Sequence, residues 1–240
     1  MGHFDDALAL LSHADDQLAA IKAEYDKSLH DRAVKPQLLV EIKNFMENLR
    51  SALDFTAHGL FAKYGSSSQA HPKIYFPYAT LAQGRAEFLE GLALRIPGLA
   101  KARPDIVAKL ESWQHFADPA NGWLPSFMDL NNENKHQQLT PQVRKESKEL
   151  RLRSRGGEVA IGPGASIILG PGASMRVGDM VIPGPQAFDS GTAPSTVGPG
   201  QKTIITWVSF HFASNNEAVI PFLSKALLGV KRIVAELSSI

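Results

Sequence analysis

Gly162-Pro163-Gly164-Ala165-Ser166-Ile167-Ile168-Leu169-Gly170-Pro171-Gly172-Ala173 is the stretch on which the fold reading turns. Residues 156–200 hold 11 of the 19 glycines and six of the 15 prolines, a density that first suggests low complexity. Placement argues for structure instead. The tetrad Gly-Pro-Gly-Ala occurs twice, each time with Pro second and Gly third, as a type II turn demands. Ser166-Ile167-Ile168-Leu169 lies between the copies, and Met175-Arg176-Val177 and Met180-Val181-Ile182 flank Gly178-Asp179, whose leading Gly suits a two-residue type II′ hairpin. Gly198-Pro199-Gly200 repeats the turn just before Thr203–Phe212, the strongest strand pattern in the chain. The region therefore predicts a compact antiparallel β-meander. Phosphate cradling by these glycines fails on context: no Gly-Lys-Ser/Thr opens a helix, Pro removes an N–H, and strands follow the turns.

Toward the N-terminus the period changes from two to between three and four. Phe4, Leu8, Leu11, Ala14, Leu18, Ile21, Tyr25 and Leu29 mark one face of a long helix, and Leu38, Ile42, Phe45, Leu49, Ala52, Thr56 and Leu60 mark a second. Pro36 suits the first turn of that second helix and Gly65 its end. The two should pair antiparallel across Asp31–Lys35. Residues 65–83, with Ile74-Tyr75-Phe76-Pro77-Tyr78, read as an aromatic-anchored packed loop. Helical spacing resumes at Ala86, Leu89, Leu92 and Ile96, then at Ile106, Val107, Leu110 and Trp113 after Pro104, and then from Trp123 to Gln138 before Pro141. The charge run 144–155 ends in alternating Leu and Arg, which predicts an exposed strand entering the sheet rather than a loose linker.

The far end of the chain is a helix again. Ile220, Leu223, Leu227, Val230, Val234 and Leu237 form an a/d seam that Phe222, Ala226 and Ile233 widen. A face this wide favours packing on the sheet or on the N-terminal helices over pairing with a second copy, although a homo-oligomer through this helix stays open. The fold class expected is α+β: an N-terminal antiparallel helical bundle over 1–147, then a small β-meander with a C-terminal amphipathic helix over 148–240, packed together as one body.

Composition narrows the function classes. The chain has 240 residues, 44% apolar and 20% charged, with Lys+Arg 25 against Asp+Glu 24 and a net charge of +1, so no dominant attraction to nucleic acid or anionic membrane is built in. Absence of Cys excludes disulfides, thiolate zinc sites, Fe–S clusters and a Cys nucleophile. There is no leader pattern in the acidic opening and no run of about 18 apolar residues, which leads to a cytoplasmic location without a membrane partner.

Two polar clusters stand out in the helical part. Glu47, Arg50, Asp54 and His58 share one ridge of the second helix, ordinarily the spacing of a solvated salt-bridge stripe. Asn131, Asn132, Asn134, Lys135 and His136 gather at the end of the helix from Trp123, where Lys135 and His136 complement the helix dipole. Asp54, His58 and His136 offer a carboxylate and two imidazoles, but the Glu-x-x-His pairs of bundle metal centres are missing, so neither metal nor cofactor is expected. No Gly-x-Ser-x-Gly elbow is present.

Asn48-Leu49-Arg50-Ser51-Ala52-Leu53-Asp54, then Phe76-Pro77, then Leu130-Asn131-Asn132-Glu133-Asn134-Lys135-His136 resemble, in that order, a set of bacterial helical-bundle proteins related to the HEPN superfamily, whose members include ribonucleases, toxin components and non-catalytic nucleotide-binding modules. The resemblance spans about residues 36–140. It implies a four-helix bundle, nucleotide or RNA as partner, and Arg50, Asp54, Asn131, Lys135 and His136 as binding residues, with His136 the best catalytic candidate. The catalytic HEPN pattern places four to six residues between Arg and His, whereas seven separate Arg50 from His58, so ribonuclease activity is expected to be weak or absent. Three functions stay open as expectations: foremost a non-catalytic, self-associating structural or regulatory protein, then a HEPN-like module that meets nucleotide or RNA, and third a hydrolase acting through His136 as general acid or base. Burial of the clusters discriminates between the first two.

Overall fold

The computed structural model describes residues 2–28, 35–136, 139 and 141–240, excepting the side chains of residues 134–136. The fold is α+β, with helices α1 (His3–Ser28), α2 (Pro36–Tyr64), α3 (Arg85–Arg95), α4 (Leu99–Ala102), α5 (Pro104–Ser112), α6 (Trp123–His136) and α7 (Val219–Ser238). The strands are β1 (Gln142–Ser154), β2 (Gly157–Ile161), β3 (Ser166–Leu169), β4 (Ser174–Val177), β5 (Met180–Pro183), β6 (Gln186–Asp189) and β7 (Gln201–Phe212). Pro36 sits in the first turn of α2 as expected, where its missing N–H forfeits nothing. Most of the connection Asp31–Lys35, with Leu29, lies outside the described residues, as do Gln137 and Gln138.

The chain divides into two compact units, Met1–Val143 with Phe210–Ile240 and Arg144–Ser209. The division falls within β1 and β7 rather than at residue 148, and it returns the C-terminal helix to the helical unit. There α7 packs on α1, α2 and α6, burying Leu223, Leu227, Val230, Val234 and Leu237 of its seam. The wide face of α7 thus packs on helices of its own chain. On α1 the buried face runs Ala7, Leu11, Ala14, Leu18, Ile21 and Tyr25, a strict alternation of four and three, so Leu8 falls outside it and is 47% exposed. The apolar count had selected Leu8 over the smaller Ala7. The same thing happens at α3: Phe88, Leu92 and, just past its end, Ile96 are buried, and Ala86 is exposed.

In the loop before α3, Ile74, Phe76 and Ala79 are buried, as a packed loop requires. Two side chains pin its backbone. Asp54 Oδ1 accepts from Phe76 N–H at 2.8 Å, and the fully buried Gln114 accepts from Ala79 N–H at 2.9 Å while donating to Leu110 C=O at 2.9 Å. Each otherwise orphaned buried group thereby finds a partner.

The second unit has its own core of Leu150, Leu152, Ile161, Val177, Ile182 and Phe188. Its sheets are β2-β1-β7, β3-β6 and β4-β5, with β1–β2, β3–β6 and β4–β5 paired antiparallel. The β4-β5 hairpin is nested inside the β3-β6 pair, so the order is more enclosed than a simple meander. Both tetrads form the expected turns: Ala165 N–H bonds Gly162 C=O and Ala173 N–H bonds Gly170 C=O, each at 3.1 Å, with Gly164 and Gly172 at φ +77°. The third copy departs from them. Gly198, not Gly200, has the positive φ, because Val197 is already bridged to Val181 and the chain must bend straight after it. Leu150 and Leu152 are fully buried, so the charge run enters the sheet with a covered leucine face rather than as an exposed strand.

Candidate functional site

The centre of the first polar cluster is a pair one helical turn apart. Arg50 Nε donates to Asp54 Oδ2 at 3.2 Å, and the two side chains are only 14% and 23% exposed. Asp54 spends its other oxygen on Phe76 N–H, which ties the aromatic-proline segment to α2. The Arg50 guanidinium lies 5.6 Å from the centre of the Tyr78 ring and also contacts Met128 Sδ on α6. Arg95, at the end of α3, approaches the same Tyr78 ring at 5.9 Å. One carboxylate, one tyrosine and one thioether thus surround Arg50, and a second guanidinium shares its aromatic partner.

The other members of the ridge separate. Glu47 pairs with Lys43 at 2.9 Å, and the His58 ring lies 5.5 Å from that of His3 on α1. The ridge is therefore three local arrangements rather than one stripe.

Asn131 is 1% exposed and donates from Nδ2 to Met46 C=O at 3.2 Å, with Oδ1 buried and without a partner. It joins α6 to α2 one turn before Arg50. Met128, one turn earlier on α6, occupies the space beside Arg50. The side chains of Asn134, Lys135 and His136 lie outside the described residues, so the candidate roles of Lys135 and His136 are not placed. Among the described residues no three His, Asp or Glu side chains converge as a metal would need. No described helix is long and apolar enough to cross a membrane.

Arg95, Met128 and Gln114 were not singled out from the sequence, and Tyr78 was read only as part of the aromatic-anchored loop. Their roles depend on the 65–83 loop lying over α2, which no local spacing encodes.

Comparison with family models, with curated proteins and with solved structures finds no match.

Proposed function

We propose that this chain is a non-catalytic structural or regulatory protein of the cytoplasm, in which the polar cluster holds the helical unit together. The observation that carries the reading is the occupancy of Asp54: both carboxylate oxygens are engaged within the protein, one by Arg50 and one by Phe76 N–H, and both side chains of the pair are largely covered. A group so committed has little capacity left for a ligand. Gln114 and Asn131 act in the same sense, since each fastens backbone across elements from a buried position. Native mass spectrometry of the purified protein tests this. The reading expects the mass of polypeptide alone, and co-purified RNA, nucleotide or metal in stoichiometric amount contradicts it.

One observation favours the alternative, a HEPN-like module that meets nucleotide or RNA. Two guanidinium groups, Arg50 and Arg95, share the Tyr78 ring, and only Asp54 is paired with either in the described contacts. In that reading a phosphate is met by Arg95. Arg95→Ala then abolishes nucleotide co-purification and leaves the melting temperature unchanged, whereas in the structural reading there is no nucleotide to lose.

A further inference from the structure

β7 is an edge strand. In the sheet order β2-β1-β7, β1 takes one of its two hydrogen-bonding edges. At its far end the outer edge is also used: Phe212 N–H donates to Glu217 C=O at 3.0 Å, and His211 is bridged to Ala218. Ala213 N–H turns the other way, to Pro141 C=O at 2.9 Å. Successive residues of an antiparallel strand turn to opposite edges. Ile204, Thr206 and Val208 therefore direct their N–H and C=O groups outward, as Phe212 does, and among the described residues no strand pairs with them there.

Edges of this length are normally blunted by charge, Pro or a bulge. Thr203-Ile204-Ile205-Thr206-Trp207-Val208 has no charged residue, no Pro and no Gly. Ile204 is 41% exposed and Trp207 52%, and their odd and even positions put them on opposite faces of the strand. A strand added at this edge would gain backbone bonds and apolar cover on both faces.

We infer that the chain forms a two-fold dimer in which β7 pairs antiparallel with β7 of a second copy. This inference goes beyond the non-catalytic reading and does not depend on it. The occupant follows from the chemistry of the edge. An uncharged, β-branched strand is complementary to its own antiparallel copy, because no like charges come opposite each other. Nucleic acid would require cations along the strand, and Lys202, the one Lys or Arg of β7, commits its ammonium to Pro194 C=O at 3.1 Å. Since β1 occupies the other edge of β7, pairing through β7 uses one edge per copy and closes at two. The seam of α7 is buried within its own unit, which leaves Leu228 as its exposed large apolar residue and moves the expected self-association from that helix to β7.

Sedimentation equilibrium of the full chain at tens of micromolar, with circular dichroism as the check on folding, tests the inference. The wild type should sediment at twice the chain mass. Thr206→Pro, which removes one outward N–H while sparing the ladder to β1, should sediment at the chain mass. The double variant Ile204→Lys with Trp207→Lys, altering only exposed side chains, should do the same if Thr206→Pro fails to fold. Leu228→Lys should remain dimeric. A monomeric wild type, a dimer that survives the edge substitutions, or a dimer lost on Leu228→Lys would overturn it.

Discussion

Gln114 shows at the level of one residue how this interior tolerates polarity. Its side chain is wholly buried, yet it accepts from Ala79 N–H and donates to Leu110 C=O, so an isolated amide becomes a clamp between α5 and the loop. Gln114→Ala leaves Ala79 N–H without an acceptor in a dry site and opens a small void. The expected cost is about 2 kcal/mol, read as a lower denaturation midpoint in urea. Asn131 is less well matched, because its buried Oδ1 has no partner. Asn131→Ala loses the bond to Met46 C=O and also removes that orphaned oxygen, and it should cost about 1 kcal/mol less than Gln114→Ala in the same experiment. Tyr25 supplies a pH test. Burial pushes its phenol upward from an ordinary value of 10.0, and it donates to Gln142 Oε1. The folded protein therefore keeps a proton that the unfolded chain gives up, and stability should fall as pH rises through about 10. Tyr25→Phe should flatten that alkaline limb in melts across pH 9 to 11, while an identical limb in the variant would show that another group is responsible.

At the scale of elements, helices and turns were legible because their signals are local. The bounds of α2 follow from Pro36 and Gly65, and the tetrads at Gly162 and Gly170 follow from a Gly needed at φ +77°. The third Gly-Pro-Gly misled because its conformation is imposed by the Val197–Val181 bridge, a pairing across 16 residues with no sequence signature. Leu8 misled because burial follows the angle around α1, and Ala7 has the better angle despite its smaller side chain. Of the candidate site, the Arg50–Asp54 pair was visible as i, i+4 spacing. Tyr78, Arg95 and Gln114 were not, since only the fold of the 65–83 loop brings them in. The turns yield a paired prediction. A Cβ at Gly164 meets nothing within 4 Å, so Gly164→Ala pays only for the left-handed backbone, about 1 kcal/mol. At Gly198 the same Cβ would stand 2.4 Å from Asp179 C=O, so Gly198→Ala should lower the melting temperature clearly more. Equal shifts for the two would contradict the assigned turn geometry.

Among the described residues there are two apolar cores, one assembled chiefly by the helices and one by Leu150, Leu152, Ile161, Val177, Ile182 and Phe188. The sequence boundary near 148 captured the change of period but missed the return of residues 210–240 to the helical unit, because two of the partners of α7, helices α1 and α2, lie more than 150 residues away along the chain. Trp113 and Trp123 are buried in the helical unit at 6% and 8% exposure, whereas Trp207 is half-exposed in the other, so a shift in tryptophan emission reports chiefly on the helices. That probe suits the central claim, that the Arg50–Asp54–Phe76 network is structural. Urea unfolding of Asp54→Ala, followed by tryptophan emission, measures it most directly. Removing the carboxylate strands a largely covered guanidinium and a backbone N–H together, and the helical unit should lose on the order of 3 kcal/mol. An unfolding curve superimposable on that of the wild type would contradict the account.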